Sequence, residues 1–191
     1  LSGNDKHGVI DGASWYSETN NGNITRGLNF DGLDDFVQTN LSINSLPYTI
    51  KVRFKSFKNS GEQSIVDSDV GGRHGNSIIL GYNDGDNTID VQYHDGFYNS
   101  PKIYEADKWY TALATYEKDS VTLYVDGEKI GTETFTQGTL DGSNVRFGRH
   151  NAGDPQWFKG IIDEVTIWNY VEKSDKKIIV DEPPTSPYNL N

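Results

Sequence analysis

The chain has 191 residues and a net charge of −11 at neutral pH; 12% of its residues are aromatic, and it has no Cys and no Met. That acidity argues against nucleic acid and anionic membranes, which select clustered Lys and Arg, and no apolar run is long enough to insert in a bilayer. Without Cys there is no disulfide or thiol chemistry, and the aromatic content argues against disorder in a chain long enough to bury a real core.

Strand signals dominate from the start. The run Leu28-Asn29-Phe30-Asp31-Gly32-Leu33-Asp34-Asp35-Phe36-Val37 reads as strand, acidic turn and strand. Residues 48–55 alternate cleanly, with Ile50, Val52 and Phe54 facing in and Lys51, Arg53 and Lys55 facing out. Strands are expected at 77–82 and 88–94, joined by a hairpin through Asp84-Gly85, and at 109–116 and 121–125. Asp126-Gly127 marks a tight turn into residues 129–135, and strands at 145–148 and 161–168 complete the series. Turn signals every 8–12 residues or so fit an all-β sandwich or barrel.

The only helical candidate is 171–180, with Ser174 as its cap. Pro183, Pro184 and Pro187 then disfavour helix and central strand. Residues 1–180 are therefore expected to form one domain, and 181–191 a Pro-rich linker or the start of a following module. The first residue is not Met, so the chain is expected to be one bead of a multidomain protein.

Two features carry chemistry. In Phe158-Lys159-Gly160-Ile161-Ile162-Asp163-Glu164-Val165-Thr166-Ile167-Trp168, adjacent acids interrupt a half-buried strand. One of them is expected to point inward, where a carboxylate needs a cation or a cluster of donors. This acidic strand end and the one at Asp31 are expected to meet and share a metal. The plain alternative is that Asp31 and Asp35 cap turns and Asp163 accepts backbone N–H bonds.

The second feature is a pair of Gly-rich loop clusters mixing aromatic rings with hydroxyl-binding groups, as sugar sites do. One holds Arg73, His74, Tyr93, His94 and Tyr98; the other holds Asn151, Asp154 and Trp157. Packing or plugging a sandwich end is the alternative for each ring. No Glu-x-Asp-x-x-Glu array, Gly-x-Ser-x-Gly elbow, phosphate loop or zinc spacing occurs, so catalysis is not expected.

In order and spacing, the segments Gly8-Val9-Ile10-Asp11-Gly12-Ala13-Ser14-Trp15, Leu28 to Val37, Tyr48-Thr49-Ile50, Leu123-Tyr124-Val125-Asp126-Gly127, Phe147-Gly148-Arg149 and Phe158 to Asn169 resemble a laminin-G-like, concanavalin-A-like domain of the bacterial and pentraxin-related type. The resemblance covers roughly residues 3–172 and implies an all-β, two-sheet antiparallel jelly-roll sandwich. It also implies a structural calcium between the first strands and the last, carried here onto Asp31, the Gly32 carbonyl, Asp35 and Asp163. The function it implies is a non-catalytic, lectin-like module, extracellular or on a cell surface and monomeric, whose partners are a glycan or polysaccharide and other domains of its own polypeptide. A protein-binding adhesion or spacer module is the first rival, and a glycoside hydrolase of the same fold the second.

Overall fold

The computed structural model describes residues 8–58, 60–68, 76–81, 87–93, 96–101, 104–135, 144–150 and 156–172. Fourteen strands run through them: β1 (Gly8–Asp11), β2 (Ser14–Asn20), β3 (Asn23–Asp31), β4 (Phe36–Ser42), β5 (Tyr48–Ser56), β6 (Gln63–Asp67), β7 (Ser77–Leu80), β8 (Ile89–Tyr93), β9 (Gly96–Tyr98), β10 (Trp109–Glu117), β11 (Ser120–Val125), β12 (Glu128–Thr134), β13 (Asn144–Phe147) and β14 (Lys159–Trp168). They form two antiparallel seven-stranded sheets, ordered β1-β4-β13-β6-β7-β8-β9 and β12-β11-β10-β5-β14-β3-β2. The chain thus builds the jelly-roll sandwich that its motifs imply. No helix occurs among the described residues. The expected Asp84-Gly85 hairpin lies outside them, as do nearly all of the expected helix at 171–180 and the whole of the linker at 181–191.

Alternation decides which side of β5, β10 and β11 faces the core. Ile50, Val52 and Phe54 of β5 face the same core as Ala112, Ala114 and Tyr116 of β10 and Val121 and Leu123 of β11. The first sheet answers with Val66, Ile78, Leu80, Ile89, Val91 and Val145. Tyr48 stacks on Tyr116 with ring centroids 4.6 Å apart, and Tyr93 leans against Tyr116 at 5.9 Å. Such pairs are worth about 1 kcal/mol each beyond the area they bury.

Turn chemistry sets the registers. Asp126 and Gly127 both take positive φ, as do Asn21 and Gly22. These are the two-residue turns whose twist matches the flanking strands of the β11–β12 and β2–β3 hairpins. Gly148, at φ +85°, lies against the Phe30 ring, 2.5 Å from where a Cβ would stand. A larger residue there would have to displace a core aromatic.

Candidate functional site

The acidic turn after β3 gathers three carboxylates. Single carboxylate oxygens of Asp31, Asp34 and Asp35 all lie within 4.8 Å of one another. Asp35 is almost fully buried, and its Oδ2 accepts the Asp31 N–H at 2.7 Å. Asp31 Oδ1 accepts the Leu33 N–H at 2.7 Å, which fixes the turn. Gly12 faces the Asp35 carboxylate, so a Cβ on it would collide with that group. Burial pushes the Asp35 carboxyl above its usual range against the opposing hydrogen bond from Asp31, and the charges of Asp31, Asp34 and Asp11 push it further. Gly32 turns the chain at φ +81°, with the Lys159 Cβ 2.7 Å from where its own Cβ would stand. The donors are all oxygen and their charge is crowded, which fits a hard cation such as calcium.

Asp163 is not part of this cluster. Lys159 pairs with Asp31 and Ile162 with Leu28, so Asp163 lies beside Gly27, about 14 Å along the strand from Asp31 at about 3.4 Å per residue. The expectation that Asp163 and Asp31 share an ion is therefore corrected. The expectation that one of the paired acids points inward is corrected as well. A β-bulge between Ile162 and Val165 sets Asp163 and Glu164 together against Arg53. Asp163 pairs with the Arg53 guanidinium, and Glu164 with Lys51 at 3.0 Å. Their side chains remain 27% and 51% exposed, so the bulge removes the need to bury a carboxylate.

Of the expected sugar-binding residues, Arg73, His74, His94, Asn151 and Asp154 lie outside the described residues. Tyr93 is corrected: it is 1% exposed, packs on Tyr116 and Phe135, and donates its hydroxyl to the Lys118 carbonyl at 3.0 Å. It shares strand parity with Ile89 and Val91, and that parity places it in the core. Tyr98 packs against the core with its hydroxyl next to Gly131 of β12. Trp157 is partly buried beside Phe36, and the Arg149 guanidinium lies over both rings at 5.1 and 4.9 Å.

Across β6, β7 and β8 the outer face of the first sheet is largely polar but dry. Asp67, Ser77, Asp90 and Gln92 occupy outward positions of β6, β7 and β8, yet none is more than 4% exposed. Ser77 Oγ donates to Asp67 Oδ1 at 2.7 Å, and His150 Nε2 stands 3.9 Å from the same oxygen. Asp90 accepts the Thr88 hydroxyl at 2.7 Å and the Ser100 N–H at 3.1 Å. Ser68 and Asn76 exchange two hydrogen bonds, of 3.0 and 3.2 Å, across the base of the segment that joins β6 to β7.

Around Lys51, Arg53 and Lys55 the outer face of the second sheet is partly exposed and mixes rings with ion pairs. Trp109 of β10 lies opposite Lys55 of β5, and the Arg53 guanidinium is 4.1 Å from its ring centroid. Lys55 Nζ stands 5.4 Å from Trp109, 5.6 Å from Tyr16 and 5.7 Å from Phe57, and 3.7 Å from Glu18. Tyr16 donates to Glu18 at 2.5 Å. The alternation of Lys51, Arg53 and Lys55 already put these cations outside; which rings stand beside them is decided by long-range strand pairing.

Comparison with known proteins agrees with this architecture. A family model described as the concanavalin A-like lectin/glucanases superfamily, laminin-G type, matches residues 30–176. No curated protein sequence matches the chain. Domain 4 of AbnA, an extracellular GH43 arabinanase from Geobacillus stearothermophilus solved with arabinotriose, is similar at 17% identity and TM-score 0.65, over 85% of this chain and 82% of that one. The heptameric SAP-like pentraxin of Limulus polyphemus is similar at 14% identity and TM-score 0.60, over 76% of each chain. The binding domain of botulinum neurotoxin serotype D is similar at 15% identity and TM-score 0.66, over 91% of this chain and 45% of that one. At these identities the likeness is one of fold.

Proposed function

We propose, from the premise that this chain belongs to the concanavalin A-like lectin/glucanase superfamily, that it is a non-catalytic carbohydrate-binding module of a secreted or surface-attached multidomain protein. The overlap with a domain solved with arabinotriose supports sugar as the ligand class. What favours binding over hydrolysis is the state of the dry carboxylates on the first sheet. Asp67 and Asp90 sit on strands separated by β7 and offset by two residues in register. Counting about 4.8 Å per strand and about 3.4 Å per residue, their backbones stand about 12 Å apart. A glycosidase needs both carboxyl groups free to face the scissile bond. Each of these carboxylates is instead committed to a neighbouring hydroxyl, a local structural role.

A structural calcium completes the proposal, held by Asp31, Asp34 and Asp35. Calcium supplies charge cancellation at a crowded turn, and the chain supplies the turn geometry through Gly12 and Gly32. Titration against a glycan array in millimolar calcium should give at least one retained glycan class, with no release of reducing ends. Protein-only binding would favour the adhesion reading, and released sugar would overturn the non-catalytic one. Calcium should raise the thermal midpoint of the wild type, and Asp31→Asn with Asp35→Asn should abolish that rise. An equal rise in the double variant would remove the ion from this turn.

A further inference from the structure

We propose that the outer face of the second sheet is a binding platform for a neutral glycan, with Tyr16, Phe57 and Trp109 as the ring surfaces. The inference rests on the carbohydrate-binding reading and gives it a place and a ligand class. Two of the rings are carried by strands, and all three gather around one cation, Lys55, so their spacing is set by the sheet. Phe57 is 36% exposed, and Tyr16 and Trp109 are partly exposed, which leaves ring surface for the C–H faces of a sugar.

The polar groups argue for a ligand without charge. Lys51, Arg53 and Lys55 each hold one carboxylate, those of Glu164, Asp163 and Glu18 respectively. The face is therefore self-neutralised within a chain of net charge −11. An anionic glycan would have to displace a bound carboxylate and approach against the overall field. Hydroxyls need neither, because the guanidinium has donors and the carboxylates have lone pairs beyond those that the pairs use. A protein partner fits less well, since Lys, Glu and Asp are depleted at the centre of protein interfaces. The platform is also bounded. At the far end of β5 and β10, Thr49 and Thr115 bond the exit segment at Tyr170 and Glu172, so the chain itself occupies that end of the face.

The test is calorimetric titration of the whole chain with arabinotriose and other neutral oligosaccharides, and with a galacturonate oligomer as the charged probe. Neutral binding should change by less than about twofold when ionic strength rises about tenfold. Trp109→Ala should weaken it by about tenfold or more, and Phe57→Ala, at a side chain largely outside the core, by a smaller factor with an unchanged thermal midpoint. Wild-type binding to a neutral glycan that both variants retain would overturn the platform and leave the carbohydrate reading standing. Preference for the galacturonate with a steep salt dependence would overturn the ligand class. No binding to any neutral probe would overturn the platform outright, and glycan-array binding would then decide whether the broader reading survives.

Discussion

The two sheets place polar residues on their outer faces by the same alternation, and the two faces end in opposite states. On the first sheet Asp67 and Asp90 are fully buried; Asp67 accepts the Ser77 hydroxyl with His150 3.9 Å away, and Asp90 accepts the Thr88 hydroxyl and the Ser100 N–H. On the second sheet Lys51, Arg53 and Lys55 stay in contact with water and each holds a carboxylate. A dry polar group is committed, because leaving its partners unsatisfied carries the full desolvation penalty. A wet ion pair is exchangeable, since water and ligand hydroxyls can replace its members at little net free energy. The first face holds its shape through committed contacts, whereas the second keeps exchangeable ones.

Removing one charge from each face is the sharpest way to break this comparison. Asp90→Ala should destabilise the domain by about 3 kcal/mol in denaturant unfolding, because the Thr88 hydroxyl and the Ser100 N–H lose their acceptor in a dry site. Lys51→Ala should change stability by about 0.5 kcal/mol or less. Equal effects would show that the two faces are not energetically distinct.

A double-mutant cycle on Arg53 and Asp163 refines the point. The coupling should be about 1 kcal/mol, because the pair is only partly exposed, and should fall with added salt. A salt-independent coupling of several kcal/mol would move this pair into the buried class.

The comparison also has an alkaline signature. Burial, helped by the Glu18 hydrogen bond and charge, pushes the Tyr16 hydroxyl up to about 12. A phenol whose folded pKa is raised contributes stability that is fully present below its unfolded pKa near 10. That contribution is lost as pH rises to about 12. Ultraviolet titration of wild type minus Tyr16→Phe should show one tyrosine ionising near 12, and a midpoint near 10 would detach Tyr16 from Glu18.

How much of this was legible depended on whether the deciding interaction was local. β5 could be read from its own alternation, and the β11–β12 hairpin from Asp126-Gly127, because period and turn chemistry lie within a few residues. β2 lies at a sheet edge and is mostly exposed, so it carries little hydrophobic period. β6 is buried on both faces, which erases the alternation instead. The acidic turn at Asp31 and Asp35 could be read for the same reason as the hairpin. Asp163 could not, since a bulge is a property of two strands paired across more than a hundred residues. Tyr93 borders a Gly-containing stretch with the composition of a loop, yet its parity with Ile89 and Val91 places it in the core. Trp109 beside Lys55 lay beyond local reading, because only the β5–β10 pairing makes them neighbours.

The position of β14 has one further consequence. The last strand among the described residues is not at an edge; it lies between β3 and β5 and bonds both. Without β14 the second sheet would be two fragments, the β2–β3 hairpin and the β5-β10-β11-β12 set. A nascent chain stalled before β14 would therefore leave β3 and β5 as open sheet edges, exposed to pairing with other chains.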